Sequence, residues 1–241
     1  MDHRQHFYNQ YTTAQSRFAS IDDARQRVVA EHHGLNTSVR RHLPENRGGR
    51  VLDLGCGYGA FLLWMRQMGY HNLRGIDLSQ EQVDLARALG LDCVEVEDLF
   101  SALAQEQQVE LVTMFDVIEH LTRAEAISAL TTIAHVLAPG GTLVLRTPNV
   151  DAPLGTVLSY GDLTHEMHLN KTSVLELFAT LPFTEILVLP VPSVGGNLLA
   201  RFIRTVLGPL TTLGRRLQHI EQGVSWNASL STPNMLIVAR R

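Results

Sequence analysis

The segment Val51-Leu52-Asp53-Leu54-Gly55-Cys56-Gly57-Tyr58-Gly59 constrains this 241-residue chain more than any other. A short apolar run bounded by glycines reads as a buried strand that turns tightly into a helix. Glycine takes the left-handed conformations such a turn needs and lets a ligand approach the backbone closely. The helix that follows has amide donors at its N-terminus with no intrahelical partner. The spacing is Gly-x-Gly-x-Gly, not the Gly-x-Gly-x-x-Gly of dinucleotide-binding turns, which disfavours a nicotinamide-dependent oxidoreductase. Asp53 stands where it could meet a cationic amino group. A turn that binds nothing is the plainer alternative.

The pattern then alternates. Helices are expected at Ala60–Met68, at Gln80–Leu89 behind the cap Ser79, and at Arg123–Leu137. Strands are expected at Leu73–Asp77, Asp92–Val96, Val109–Phe115 and Thr142–Arg146. Strands split by helices imply parallel βαβ units and a doubly wound α/β sheet. Residues 1–49 read as a polar arm and a helix starting at Ser20 and running to about Leu43, before Pro44, part of the same domain as 50–241. After Arg146 the rhythm breaks. Residues 147–170 form a long loop, and loops of that length in a compact domain are usually functional. A helix at Thr172–Leu181, a strand at Phe183–Leu189, a helical insertion over 190–223 and a last strand at Asn234–Ala239 complete the chain.

The formal charge of −4 argues against a nucleic-acid binder. Cys56 and Cys93 have no metal-ligand spacing. The N-terminus is polar, and no apolar run reaches the roughly 18 residues of a membrane span. A cytoplasmic protein is expected.

Three further acidic sites follow strands. Asp77 lies 22 residues after Gly55, where a carboxylate can accept from both ribose hydroxyls. Asp98, in Glu97-Asp98-Leu99, can accept from an adenine amine while its apolar neighbour packs on the ring. Asp116 to Leu121 follows the fourth strand, at the sheet edge where open α/β sheets bind ligands. A strand-end acid in solvent, a surface turn and a helix-packing histidine are the bland readings of Asp77, Asp98 and His120.

Taken together, Val51–Gly59, Gly75–Ser79, Glu97–Leu99, Asp116–Leu121 and Leu137–Gly141 resemble the successive motifs of class I S-adenosylmethionine-dependent methyltransferases. The resemblance covers residues 50–150. It implies a seven-stranded sheet of order 3-2-1-4-5-7-6 with an antiparallel last strand. It also implies that Gly55, Cys56 and Gly57 line the methionine part of the cofactor, with Asp53 nearby. Asp77 would hold the ribose, and Leu78, Asp98 and Leu99 the adenine. Phe115 would meet the amino group through its backbone, and Tyr11 and Arg17 would close the site from the arm. S-adenosyl-L-homocysteine would be the product.

A second resemblance covers 147–241. Thr147-Pro148-Asn149, Gly161 to Glu166, Asn170 to Phe183 and the ending Asn234 to Arg240 look like methyltransferases of polysaccharide and glycan biosynthesis clusters. It implies O-methylation of a sugar hydroxyl. An aliphatic hydroxyl needs a base to take its proton, and histidine titrates near neutrality. His165 is the expected base, oriented by Asp162 or Glu166, with His120 as second candidate. A loop-bracing role for His165 is the alternative. Asp162, His165, Glu166 and His168 could instead hold a divalent metal, although no metal is the preferred reading. A phenolic or quinone-precursor acceptor, an amine acceptor, and a non-catalytic cofactor-binding partner also stay open.

Leu198, Leu199, Phe202, Ile203, Val206 and Leu207 fall at helical spacing, and residues 198–220 carry four arginines and no acid. A lid or homodimer helix is one reading. Contact with a membrane surface at the inner face, or with a lipid-linked acceptor, is the other.

Overall fold

The computed structural model describes residues 18, 20–192, 198–223, 225 and 229–241. Strand β1 (Val51–Leu54) is buried along its whole length and lies at the centre of the sheet. It pairs in parallel with β2 (Leu73–Asp77) on one side and β4 (Val109–Phe115) on the other. β3 (Val94–Val96) extends the sheet beyond β2, and β5 (Leu137–Pro148) beyond β4. β7 (Asn234–Arg240) runs antiparallel between β5 and β6 (Glu185–Pro190). The resulting order, β3-β2-β1-β4-β5-β7-β6, is the one the sequence motifs imply.

Residues alternate between the two faces along each strand, so each face has its own apolar layer. Leu52, Leu54, Val112 and Met114 pack toward α4 (Leu99–Ala104), α5 (Arg123–Val136) and α7 (Lys171–Phe178). Val51, Leu111 and Val144 pack toward α1 (Ile21–Ser38), α2 (Ala60–Gln67) and α3 (Gln80–Ala88). The helix starts are chemically marked. Ser20 accepts from the Asp23 amide, Ser79 from Gln82, and Thr122 and Glu125 form a reciprocal capping box.

The structure differs from the sequence expectation in local detail. Helix α1 stops at Ser38, and a separate 3-10 turn covers Arg40–His42. β5 begins at Leu137, because Pro139-Gly140-Gly141 stays within the strand rather than ending the preceding helix. The 147–170 segment is not wholly loop: α6 (Gly155–Tyr160) interrupts it. The insertion contains two helices, α8 (Leu198–Val206) and α9 (Gly208–Glu221), separated at Leu207, with Gly208-Pro209 opening the second. No helix among the described residues is long and apolar enough to cross a membrane.

Candidate active site

The glycine turn closes over the end of β1 in the conformation its composition requires. Gly55, Gly57 and Gly59 have φ of 73°, 52° and 81°. A Cβ on Gly55 would lie 2.3 Å from Val117 Cγ2, and one on Gly59 would lie 2.2 Å from Leu91 Cδ1. Those two glycines are fixed by packing. Gly57 is different: a Cβ there would meet nothing nearer than Gln82 Oε1 at 3.9 Å. That oxygen is buried and has no hydrogen-bond partner among the described residues. An orphaned acceptor beside an open backbone concavity fits a ligand that brings a donor. Gln82 carries no sequence signal beyond its place in the first turn of α3.

Asp77 braces the turn. Its carboxylate accepts from the Gly57 amide and from the Ser79 amide, both at 2.8 Å. Burial raises its pKa against those bonds. Leu78 is exposed beside it. The Gly55 and Cys56 amides both donate to the Ile76 carbonyl, at 2.8 and 2.9 Å, so the turn is tied to β2. Asp53 is buried and accepts from Thr113 Oγ1 at 2.6 Å. Burial pushes its pKa up to about 7, partly offset by the Thr113 bond. A buried carboxyl poised near neutrality is set to ionise when a cation arrives. Cys56 is buried, and burial holds its thiol well above the usual range, so it is packing and not a nucleophile.

Asp98 caps α4 by accepting from Phe100 and Ser101 at 2.9 and 3.2 Å through one oxygen, and Leu99 is buried behind it. The Phe115 ring sits edge-on to Phe61 at 5.2 Å, with the Arg146 guanidinium 5.3 Å from its centre. Arg146 forms an ion pair with Asp116, the residue after β4, which takes a left-handed φ of 57°. Tyr11 and Arg17 lie outside the described residues. Phe18, just after them, contacts the ring of Tyr58 in the glycine turn at 4.9 Å.

The loop after β5 folds back onto the end of β4. The Glu119 carbonyl accepts from the Glu166 and Met167 amides at 2.8 and 3.0 Å. This brings His120 and His165 together, their ring centres 4.7 Å apart. His165 Nδ1 lies 2.8 Å from the Ser159 carbonyl. A carbonyl only accepts, so the neutral ring carries its proton on Nδ1 and its lone pair on Nε2. Asp162 Oδ2 lies 3.9 Å from that Nε2. The bond that orients His165 therefore comes from Ser159, and Asp162 flanks the basic nitrogen instead. Glu166 is exposed, and its backbone serves the loop.

Thr164 links the two histidines. Its hydroxyl donates to Asp162 Oδ1 at 2.6 Å and lies 2.9 Å from His120 Nδ1. With the hydroxyl proton spent on Asp162, His120 donates from Nδ1 and carries its lone pair on Nε2. Burial, then His165, lowers the His120 pKa. Glu119 is buried, accepts from Thr147 Oγ1 at 3.1 Å, and has a strongly raised pKa, chiefly from burial and next from Asp116. One ligand atom each from Glu119, His120 and His165 falls within 4.8 Å of the others. That trio, not Asp162, His165, Glu166 and His168, is the metal-capable group among the described residues. His168 stacks on Tyr160 at 3.8 Å. Glu119 and Thr164 were missed as site residues because their partners lie 28 and 44 positions away.

Most of these groups cluster at or beyond the carboxyl ends of the parallel strands, the edge at which open α/β sheets take ligands. A family model described as Methyltransferase domain matches residues 24–181. The chain belongs to this family of S-adenosylmethionine-dependent methyltransferases. Similar curated proteins include two named ubiquinone biosynthesis O-methyltransferase. The one from Sinorhizobium medicae is 33% identical over 126 residues, covering 50% of this chain and 48% of its own length. The one from Xanthomonas oryzae pv. oryzae is 37% identical over 110 residues, covering 42% and 44%. The chain thus spans about half the length of the curated relatives it matches. Among solved structures, a SAM-dependent methyltransferase from Archaeoglobus fulgidus shares the fold with a TM-score of 0.63 and 19% identity, over 87% of this chain and 94% of that one. A phosphoethanolamine N-methyltransferase from Haemonchus contortus, solved with S-adenosyl-L-methionine, shares it with a TM-score of 0.56 and 17% identity, over 98% and 60%.

Proposed function

We propose that this enzyme methylates a hydroxyl group, with a sugar or glycan as acceptor and His165 as general base. The observation that carries the reading is the Nδ1 bond from His165 to the Ser159 carbonyl. It leaves the basic lone pair on Nε2, in a loop pinned to the end of β4. S-adenosylmethionine supplies a methyl on a sulfonium, which needs only an aligned lone pair to accept it. The rest falls to the chain. The glycine turn and Asp77 hold the cofactor's methionine and ribose parts, and Asp98 and Leu99 receive the adenine. His165 takes the hydroxyl proton as the oxygen attacks, and Asp162 stabilises the imidazolium that forms. The chain's fold supplies alignment, the larger share of what methyl transfer requires.

Two observations favour neighbouring readings. The grouping of Glu119, His120 and His165 suits a divalent cation that would lower the acceptor hydroxyl's pKa. Such an ion would also offset the burial that raises the Glu119 pKa. The curated relatives favour a phenolic acceptor of the quinone-precursor type over a sugar. We further assign the outward faces of α8 and α9 to an anionic lipid surface. The assignment rests on the exposed apolar side chains Phe202, Ile203, Leu213 and Leu217, beside the exposed Arg216, in a segment (residues 198–220) that contains no acid.

The deciding experiment is methyl transfer from labelled S-adenosylmethionine to neutral sugars, sugar phosphates, uronic acids, catechols and amines, with and without EDTA. Label on a sugar hydroxyl that survives EDTA supports the base reading. Label only on catechols moves the acceptor to the phenolic class. Loss of all transfer in EDTA, restored by magnesium or zinc, moves His165 from base to ligand. Label on amines alone overturns hydroxyl methylation.

A further inference from the structure

Helix α9 is amphipathic in an inverted sense. Leu210, Leu213, Leu217 and Ile220 form a stripe at helical spacing, and all four are exposed. The opposite stripe, Arg215, Gln218, His219 and Gln222, faces the body of the protein. There it meets Asp151 and Asn170, at the two ends of the acceptor loop, with Thr172 and Ser229. Between them lies a cavity of about 360 Å³, the size of a small-ligand pocket.

Arg215 is the group this cavity does not explain. Its Nε and Nη1 are buried and have no hydrogen-bond partner. No carboxylate among the described residues pairs with it. Asp151, the acid in the wall, receives the Asn170 amide at 3.2 Å instead. Two buried guanidinium donors without an acceptor are unfavourable, and an oxyanion is the natural partner for them. Beside Asp151, the remaining lining is the amides of Asn170, Gln218 and Gln222, the hydroxyls of Thr172 and Ser229 and the His219 ring, which together suit polyol oxygens around such an anion.

We propose that this cavity is an acceptor subsite for an anionic group, a phosphate or carboxylate carried by the sugar, held by Arg215. The proposal rests on the reading of 147–170 as the acceptor loop, since Asp151 and Asn170 bound both that loop and the cavity. It narrows the substrate class from any hydroxyl compound to an anionic polyol, such as a glycosyl phosphate or a uronate.

The test is calorimetric binding of glucose 1-phosphate, glucuronate and glucose to the full chain loaded with S-adenosylhomocysteine. Glucose 1-phosphate or glucuronate should bind, and neutral glucose at least tenfold more weakly. Whichever of the two binds names the anion. Arg215→Gln should weaken the anionic sugar at least tenfold. Arg215→Lys should recover part of it, and Arg216→Gln on the exposed side should change it less than twofold. If Arg215→Gln is poorly folded, Gln218→Ala carries the same expectation with a smaller loss. Equal binding of all three sugars overturns the proposal. So does an equal loss in Arg216→Gln, which would mean bulk charge alone. His165→Ala should bind the anionic sugar as the wild type does. Anion binding without any hydroxyl methylation would therefore sink the catalytic reading while leaving this subsite standing.

Discussion

The ring of His120 stands 4.7 Å from that of His165, nearly edge-on, although 45 positions of sequence separate them. Their partners differ. Thr164 holds one and the Ser159 carbonyl the other, each through Nδ1. Two imidazoles this close cannot both carry a proton cheaply, and the buried one, His120, is the one held neutral. A division of labour follows. His165→Ala should lower kcat by about 10²-fold or more while cofactor affinity stays within about twofold. His120→Ala should lower kcat less in EDTA-treated enzyme, because it removes a neighbour and not the base. Single-turnover rates with the best acceptor from the panel check both. Equal turnover of His165→Ala and wild type would remove the base.

Asp53 gives the site a pH signature. Its carboxyl is raised to about 7 in the fold, against an ordinary carboxylate value when unfolded. The folded state therefore binds this proton more tightly than the unfolded chain. Its stabilising contribution is complete below about pH 4 and is lost as pH rises toward 7. Thermal melts of the cofactor-free enzyme should show this decline between pH 4 and 7, and Asp53→Asn should flatten it. A cationic cofactor favours the ionised form, so its affinity should rise with pH up to about 7, by at most about tenfold per unit. The same slope in Asp53→Asn would refute the assignment.

Gly57 and Gly59 separate ligand binding from folding. Alanine at Gly59 would place its methyl 2.2 Å from Leu91, inside the core. Gly59→Ala should lower stability by about 2 kcal/mol or more, combining a left-handed φ with overpacking. Alanine at Gly57 has room against the protein and pays only the backbone cost, about 1 kcal/mol. Its methyl instead points into the concavity beside Gln82. Gly57→Ala should fold and lose cofactor binding by at least about tenfold. Denaturation midpoints and S-adenosylhomocysteine titrations on both variants make the comparison.

Local chemistry made much of this legible beforehand. The glycine spacing and the strand-end acids Asp77 and Asp98 are fixed by short-range geometry, so spacing pointed to a doubly wound sheet with a ligand-binding turn, and the family resemblance these motifs carry implied the strand order and the cofactor contacts. The acceptor side could not. Asp162 and Thr164 are near in sequence, but the Glu119 carbonyl that pins their loop is more than forty residues away. Nothing in the composition of 147–170 says that Ser159, rather than Asp162, turns His165. The inward polar stripe of α9 is likewise invisible to periodicity, which reports an apolar face without saying which way it looks. The usual assumption, apolar inward, would have placed Arg215 in solvent.

That outward apolar face sets the last expectation. Phe202 and Ile203 on α8 and Leu213 and Leu217 on α9 are all exposed. Contiguous exposed apolar surface of this kind marks a partner. The proposed partner is an anionic lipid surface, and a second copy of the helix pair is the alternative the test separates. The chain should float with vesicles containing about 30% phosphatidylglycerol and remain in solution with phosphatidylcholine alone, and salt should weaken the association. Phe202→Glu combined with Leu213→Glu should abolish flotation without lowering turnover of a water-soluble acceptor, because neither side chain belongs to the catalytic site. Sedimentation distinguishes the alternative. A wild-type dimer that the double variant converts to monomer, with no flotation by either, would assign the face to self-association instead.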